Sequence, residues 1–233
     1  MKRRHTSNDF YPVNHAELSR KTAIHEAGHA ASIYLGNKQK QLPPVFFQMF
    51  IKDLKSDALS DSCFCKSFER CTNCITKIEG GRVIHTLPSS VDAAVSDFSS
   101  TQQQAYLNAF DADIINFLAG PLAEANYVAL RDNEPINPRL VDLNALHYYG
   151  GASDLETIND YLACLAVDTL QREKKLSELF LAAFNFIHDR ANWHAITALA
   201  DYMLANGKNI IECEEIMSVL DAHCFVARKS AWC

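Results

Sequence analysis

The chain has 233 residues, enough for one large domain or two small ones, and its hydrophobic content of 48% is enough to form a core. The net charge of −6 argues against a nucleic acid as the main partner. No apolar stretch is long enough to cross a bilayer, and no apolar segment follows the basic residues near the start. We therefore expect a soluble, cytoplasmic protein that does not insert into membranes.

The first predicted element is a helix over residues 14–35, which follows a loose, polar segment over residues 1–13. It contains His25, Glu26 and His29 in the pattern His-Glu-x-x-His. Residues four apart share one face of a helix, so both imidazoles can face the same metal ion. Glu26 is next to the first histidine and can reach a water beside that ion without ligating it. This pattern is typical of zinc hydrolases.

Two short strands are predicted on either side of a polar excursion. Residues 45–51 are rich in β-branched and aromatic side chains and follow two prolines. Residues 82–87 form a second apolar run that ends at a proline. The segment between the two strands, at about 53–80, is polar and contains four cysteines. These strands predict a small β-sheet near the motif helix.

The rest of the chain predicts helices separated by loops. Gly120 and Pro121 interrupt the second helix, where we expect a kink or a break because proline lacks a backbone donor. Ser153 and Glu156 form a capping-box pattern at the start of the third helix. Gly28 in the motif helix costs about 1 kcal/mol relative to alanine, so we expect a close neighbour or the metal site to require it. The predicted helices span residues 14–35, 102–131, 153–174, 176–190, 192–206 and 212–226. The predicted fold is mainly α, in a single domain over residues 14–226, with a small β-sheet near the His-Glu-x-x-His helix.

The motif helix supplies two ligands, and a catalytic zinc site usually has three protein ligands and one position for water. The third ligand must therefore come from another element. Asp154 is one candidate, because it has a short side chain and follows two glycines that permit close backbone approach. The same aspartate could instead simply favour the helix macrodipole. Glu124 is the second candidate, as a ligand or as a group that holds a histidine ring, and the remaining histidines are others. The residues alone leave these alternatives open.

Four stretches of the chain resemble, in order, the FtsH-type zinc peptidase domain, which is the proteolytic half of membrane-bound AAA proteases. His25–Ala30 is similar to the zinc motif of that family, and Gly151–Leu155 is similar to the segment whose aspartate ligates zinc. Leu118–Glu124 and Ile187–Leu220 are similar to its later helices. The resemblance implies a mainly α-helical peptidase in which the two motif histidines and Asp154 hold the zinc ion.

The predicted activity is hydrolysis of peptide bonds in a peptide or an unfolded protein. Zinc activates a water molecule and Glu26 accepts its proton. No ATPase module precedes the motif in this sequence, so we expect an ATP-independent metalloendopeptidase. The family forms rings, which implies that the chain can self-associate as a homo-oligomer. The alternative function is a catalytically silent regulatory or scaffold protein that keeps the peptidase fold and binds protein partners.

Substrate binding is predicted at a strand edge, since extended peptides often pair with one. Residues 82–87 are the predicted edge because they resemble the short active-site strand of the family. His85 in this segment is a candidate to stabilise an oxyanion, and it is equally explained as a polar residue on a strand face.

The cysteines suggest a second metal ion. The four in the excursion could hold a structural zinc ion that stabilises this small segment, or they could be free or redox-active thiols. They are Cys63, Cys65, Cys71 and Cys74. Cys164 and Cys213 are predicted to be buried as small hydrophobic residues.

Overall fold

The computed structural model describes residues 15–51, 76–138, 141–206 and 208–230, with side chains described from 20 to 224 within those ranges. Helices dominate these residues and a small antiparallel sheet accompanies them, so the predicted fold class is confirmed. The α-helices are α1 His15–Ala31, α2 Asn37–Gln39, α3 Val91–Ala94, α4 Ser100–Arg131, α5 Ala152–Ala163, α6 Thr169–His188, α7 Arg190–Asn206 and α8 Cys213–Ser230. The strands are β1 Phe47–Ile51, β2 Thr76–Gly80 and β3 Ile210–Ile211. A π-helical turn, Ser32–Gly36, extends α1, and a 3-10 turn, Ala145–Tyr149, precedes α5.

The sheet has the order β2-β1-β3, with β1 antiparallel to both neighbours. Met49 of β1 lies opposite Ile78 of β2 and Ile211 of β3. Within the described residues β2 is therefore an edge strand. Met49 and Ile211 are fully buried, so this sheet covers one side of the helical core.

The second strand is not where the sequence predicted it. Residues 82–87 are irregular, and β2 instead occupies the end of the predicted excursion. Gly80 and Gly81 have φ angles of 87° and 82°, which turn the chain away from the sheet. The backbone N–H groups of Val83 and Ile84 then donate to the carboxylate of Asp113 on α4 instead of joining a strand ladder.

The long helix α4 runs through Pro121 without a break, so the prediction of a break there is wrong. Its start is fixed by Ser99, whose side chain accepts from the Gln102 backbone in a capping box. Leu118 and Ala119, before the proline, and Leu122, after it, are buried against neighbouring helices. This packing outweighs the local cost of a proline, which is about 3 kcal/mol in a helix interior.

The predicted helix over residues 153–174 is two helices. Helix α5 ends at Ala163, and α6 begins after Asp168, whose side chain accepts from the backbone N–H of Gln171. Leu170, in the first turn of α6, is 75% exposed. The predicted capping box at Ser153 is also wrong, since α5 already begins at Ala152 and has no side-chain cap.

The core is built around the motif helix, which packs against α4 and α7. Ile24, Ala27 and Ala31 of α1 are fully buried. Cys164 and Cys213 are buried free thiols, as predicted. No helix in the part of the chain that the structure describes is both long and apolar enough to cross a membrane.

Candidate metal centre

Helix α1 carries the two motif histidines on one face, as their spacing predicts. The Nε2 atoms of His25 and His29 lie 3.1 Å apart, and their rings meet edge to face. His25 is buried, with 7% of its surface exposed. Two imidazoles therefore present the same nitrogen atom to one small region of space.

Asp154, in the first turn of α5, completes a triangle with these two nitrogen atoms. One carboxylate oxygen lies 3.4 Å from Nε2 of His25, and the other lies 3.5 Å from Nε2 of His29. A tetrahedral ion with bonds of about 2.0–2.1 Å places its ligand atoms about 3.3–3.4 Å from one another. The observed separations fit that geometry. Among the residues whose side chains are described, these three form the one group of histidine, cysteine and carboxylate side chains that could hold a metal ion.

The hydrogen bonds behind the histidines point their free nitrogen atoms into the triangle. Nδ1 of His29 lies 2.7 Å from the backbone carbonyl of Asn116. Nδ1 of His25 lies 3.1 Å from the carbonyl of Tyr149. A carbonyl oxygen only accepts, so both Nδ1 atoms must carry the hydrogen. In the neutral rings Nε2 then keeps its lone pair, which is the form that ligates a metal.

Glu124 lies on the opposite side of the His25 ring from Asp154. Its Oε2 is 3.3 Å from Nδ1 of His25, whereas the triangle is formed at Nε2. This position suits a group that orients the ring and makes it a stronger ligand. Of the two candidates for the third ligand, the geometry favours Asp154 over Glu124.

The electrostatics of the site favour a positive charge. Burial by itself would lower the pKa of His25, but hydrogen bonds to Asp154 and Glu124 raise this pKa well above its ordinary value. Burial would raise the pKa of Asp154, and the two histidines hold it well below its usual range. Two carboxylates therefore stabilise positive charge at a buried imidazole, and a divalent cation would meet the same attraction.

Glu26 adjoins the triangle without belonging to it. The backbone N–H of Ile78 on β2 interacts with its carboxylate and lowers the pKa of that group. Burial raises the pKa of Glu26, while the charges of the two histidines oppose that shift. A carboxylate with a raised pKa beside a metal position is suited to accept and return a proton.

Two glycines allow the helices that carry the site to approach closely. A Cβ atom on Gly28 would lie 2.6 Å from Cβ of Ala123 and 2.7 Å from the carbonyl oxygen of Ala119. A Cβ atom on Gly120 would lie 2.5 Å from Cε1 and 2.6 Å from Cδ2 of His29. The close neighbour that Gly28 predicts is therefore α4, and Gly120 provides the space in which the His29 ring sits.

A cavity of about 650 Å³ opens beside the triangle. Helix α1, strand β2, the segment after β2 and helix α4 contribute to its wall. His85, the candidate for stabilising an oxyanion, lines this cavity and is exposed. The cavity is large enough for several residues of a peptide.

Sequence reasoning missed three contributors to the site. Asn116 and Tyr149 act through backbone carbonyl groups, which have no signature in the sequence. Asp113 did have a signal, since it is an acidic residue among the apolar positions of the helix that contains Phe110 and Ile114. Buried carboxylates in such positions need hydrogen-bond partners, and this one binds the segment that follows β2.

The four cysteines proposed for a structural zinc site lie outside the described residues. Comparisons of the chain with models of protein families, with curated proteins and with solved structures find no match. The functional assignment therefore depends on the geometry of the site and on the resemblance of its motifs.

Proposed function

We propose that this protein is a zinc metallopeptidase. The observation that carries the proposal is the convergence of His25, His29 and Asp154, in which the two Nε2 atoms lie 3.1 Å apart and each lies 3.4 or 3.5 Å from one of the two carboxylate oxygens. These separations match a tetrahedral zinc site with one position left over. The backbone carbonyl groups that accept from both Nδ1 atoms support the same assignment, because they leave each Nε2 atom available.

The site residues divide into ligands and groups that orient them. His25, His29 and Asp154 would hold the ion, and Glu124 would fix the ring of His25. When bound, zinc would polarise a carbonyl oxygen and make water more acidic. The donor set of two imidazoles and one carboxylate is one that zinc accepts.

Glu26 is the proposed general base and acid. It would take a proton from the attacking water and return it to the amine that leaves. Burial raises the pKa of this carboxyl group, which brings its proton affinity closer to that of a base working near neutral pH. Glu26 lines the cavity together with β2, and the backbone N–H of Ile78 interacts with its carboxylate.

The proposed substrate is an extended peptide or a segment of an unfolded protein. Such a chain can add to the free edge of β2, the role first predicted for residues 82–87. Ile78 lies at the centre of β2, and its backbone N–H interacts with the carboxylate of Glu26. This edge therefore faces the proposed base, and a peptide paired with it would pass close to that carboxylate. His85, which lines the same cavity, would stabilise the oxyanion.

The test is the variant Glu26→Gln with zinc loaded, assayed on casein without ATP. We expect it to bind one ion at the site, as the wild type does, and to lose casein hydrolysis by at least about a hundredfold. Glu156→Gln is the control, because Glu156 is an exposed carboxylate on α5 and should keep both properties.

Two outcomes would contradict the proposal. One is casein cleavage by Glu26→Gln at the rate of the wild type. The other is a wild-type protein that binds zinc yet cleaves neither casein nor peptides, which would favour the regulatory or scaffold function. Cleavage that requires ATP would contradict only the expectation of an ATP-independent enzyme.

A further inference from the structure

Arg82 lines the cavity beside the proposed zinc site, and its donors are unused. The guanidinium carbon lies over the ring of Phe117, 5.2 Å from the ring centroid. Arg82 makes no hydrogen bond or ion pair of its own with any residue that the structure describes. A guanidinium in such a cation–π contact keeps its five N–H donors available for a ligand.

The backbone on both sides of Arg82 is held in place. The N–H of Gly81 donates to the carbonyl of Phe46 across a distance of 3.0 Å. The N–H groups of Val83 and Ile84 each donate to Asp113 at 2.8 Å. An arginine on such a fixed segment loses less conformational freedom when it binds a ligand, so more of the contact energy appears as affinity.

The nearby charges do not neutralise Arg82. Asp113 attracts it, but that carboxylate is 1% exposed and already accepts two backbone N–H groups and the hydroxyl of Tyr161 at 2.9 Å. Lys77, on the same cavity wall, pairs with Glu79 at 2.6 Å. Of the lysine and arginine side chains that the structure describes on this wall, Arg82 is therefore the one whose charge is open to a ligand.

Arg82 is also close to the proposed chemistry. Phe117, whose ring the guanidinium lies over, follows Asn116, whose carbonyl accepts from His29. Glu26, β2 and Arg82 line the same cavity, so a substrate on the edge of β2 would lie near both the carboxylate and the guanidinium. A planar guanidinium binds a carboxylate through two parallel hydrogen bonds, a geometry that an amide does not reproduce.

We propose that Arg82 binds a carboxylate of the substrate and makes the enzyme prefer peptides with such a group near the scissile bond. This inference rests on the proposed peptidase function. The carboxylate could belong to an acidic side chain or to the C-terminus of the peptide. A guanidinium would bind either carboxylate in the same way, and the experiment below distinguishes the two.

The test measures binding on the full-length, zinc-loaded Glu26→Gln protein, which should hold peptides without cutting them. The probes are fluorescent ten-residue peptides of alanine and serine with one Glu or Gln at successive positions. Each is made with a free and with an amidated C-terminus. We expect one Glu position, or the free C-terminus, to lower the dissociation constant about tenfold relative to its neutral match.

Adding Arg82→Gln should abolish that preference and leave the affinity for the neutral peptides unchanged. Adding Arg82→Lys should restore only part of it, since an ammonium group lacks the two-pronged geometry. Lys77→Gln is the matched control, because it removes the same charge from the same wall and should preserve the preference. Zinc content and thermal unfolding of each variant show whether the fold is intact.

Several results would overturn the inference. The protein could bind none of the peptides, or bind acidic and neutral peptides equally. The preference could survive Arg82→Gln, or that variant could lose the same affinity for all peptides. The peptidase proposal is judged separately, by casein cleavage with the wild type. An enzyme that cleaves casein but ignores carboxylates would retain the first proposal and lose this one.

Discussion

Replacing Gly120 by alanine should destroy the metal site while leaving the fold intact. The added Cβ would lie 2.5 Å from Cε1 and 2.6 Å from Cδ2 of His29, and closer still to Nε2. Ordinary contacts between such atoms are about 3.5–4.0 Å. The His29 ring must therefore withdraw by about 1 Å. Metal–ligand distances tolerate errors of only about 0.2 Å, so a withdrawn ring no longer ligates.

The His29 ring cannot move away without cost, because its Nδ1 is hydrogen-bonded to the carbonyl of Asn116 at 2.7 Å. Changes in groups that merely orient a ligand cost about tenfold to a hundredfold in metal affinity. Displacing the ligand itself should cost at least about a hundredfold. Alanine also favours a helix over glycine by about 1 kcal/mol, which offsets part of the packing strain in the metal-free protein.

The assay is competition for zinc between the protein and a chromogenic chelator, combined with thermal unfolding of the metal-free protein. Gly36→Ala is the matched control, because its Cβ would lie 3.4 Å from Oγ of Ser32 and 3.6 Å from Cε2 of Phe186, which are ordinary contacts. We expect the control to bind zinc like the wild type. Zinc affinity of Gly120→Ala within about threefold of the wild type would refute the geometry of the site.

Three further predictions follow from the same contacts. Asp154→Ala should lose its zinc during dialysis, as measured by elemental analysis. Glu124→Ala should keep one ion with about tenfold to a hundredfold lower affinity, as measured by titration. The reverse result would make Glu124 the ligand. Asp113→Asn should lower the free energy of unfolding by about 1–3 kcal/mol, because an amide N–H₂ group would face a backbone N–H donor. Urea denaturation measures this change, and an unchanged free energy of unfolding would contradict the prediction. Gly28→Ala should lower the free energy of unfolding by about 1–3 kcal/mol because of overpacking against α4, and Gly36→Ala should leave it nearly unchanged. Urea denaturation measures both changes.

The local sequence pattern was sufficient to predict the two histidines of the site, which lie on one helix. His25 and His29 share a face because four residues make about one helical turn, and this holds wherever the helix packs. The mainly helical fold and the strand at β1 could be predicted for the same reason, since periodicity and β-branched runs are local properties.

The errors arose where distant parts of the chain decide local structure. Residues 82–87 have the composition of a strand, yet Asp113 takes two of their N–H groups, and that aspartate is about thirty residues away. Pro121 disfavours a helix locally, and burial of α4 on both sides of it outweighs that cost. The helix expected from 153 to 174 ends early because Asp168 caps a new helix.

The choice between Asp154 and Glu124 could not be made from spacing. Both are acidic residues on helices, and either could reach a metal held by α1. Only the packing of α4 on α1 and of α5 on α4 places Asp154 beside both Nε2 atoms and Glu124 beside Nδ1 of His25. The resemblance of Gly151–Leu155 to the family motif favoured the same aspartate.

The most direct measurement is anomalous diffraction at the zinc absorption edge from crystals of the zinc-loaded protein. Our account predicts a peak bonded to Nε2 of His25, Nε2 of His29 and a carboxylate oxygen of Asp154, each at about 2.0–2.2 Å. A second peak at the four cysteines of the excursion would add a structural ion without affecting this claim. The absence of a peak between the two histidines, or a peak that excludes Asp154, would contradict it.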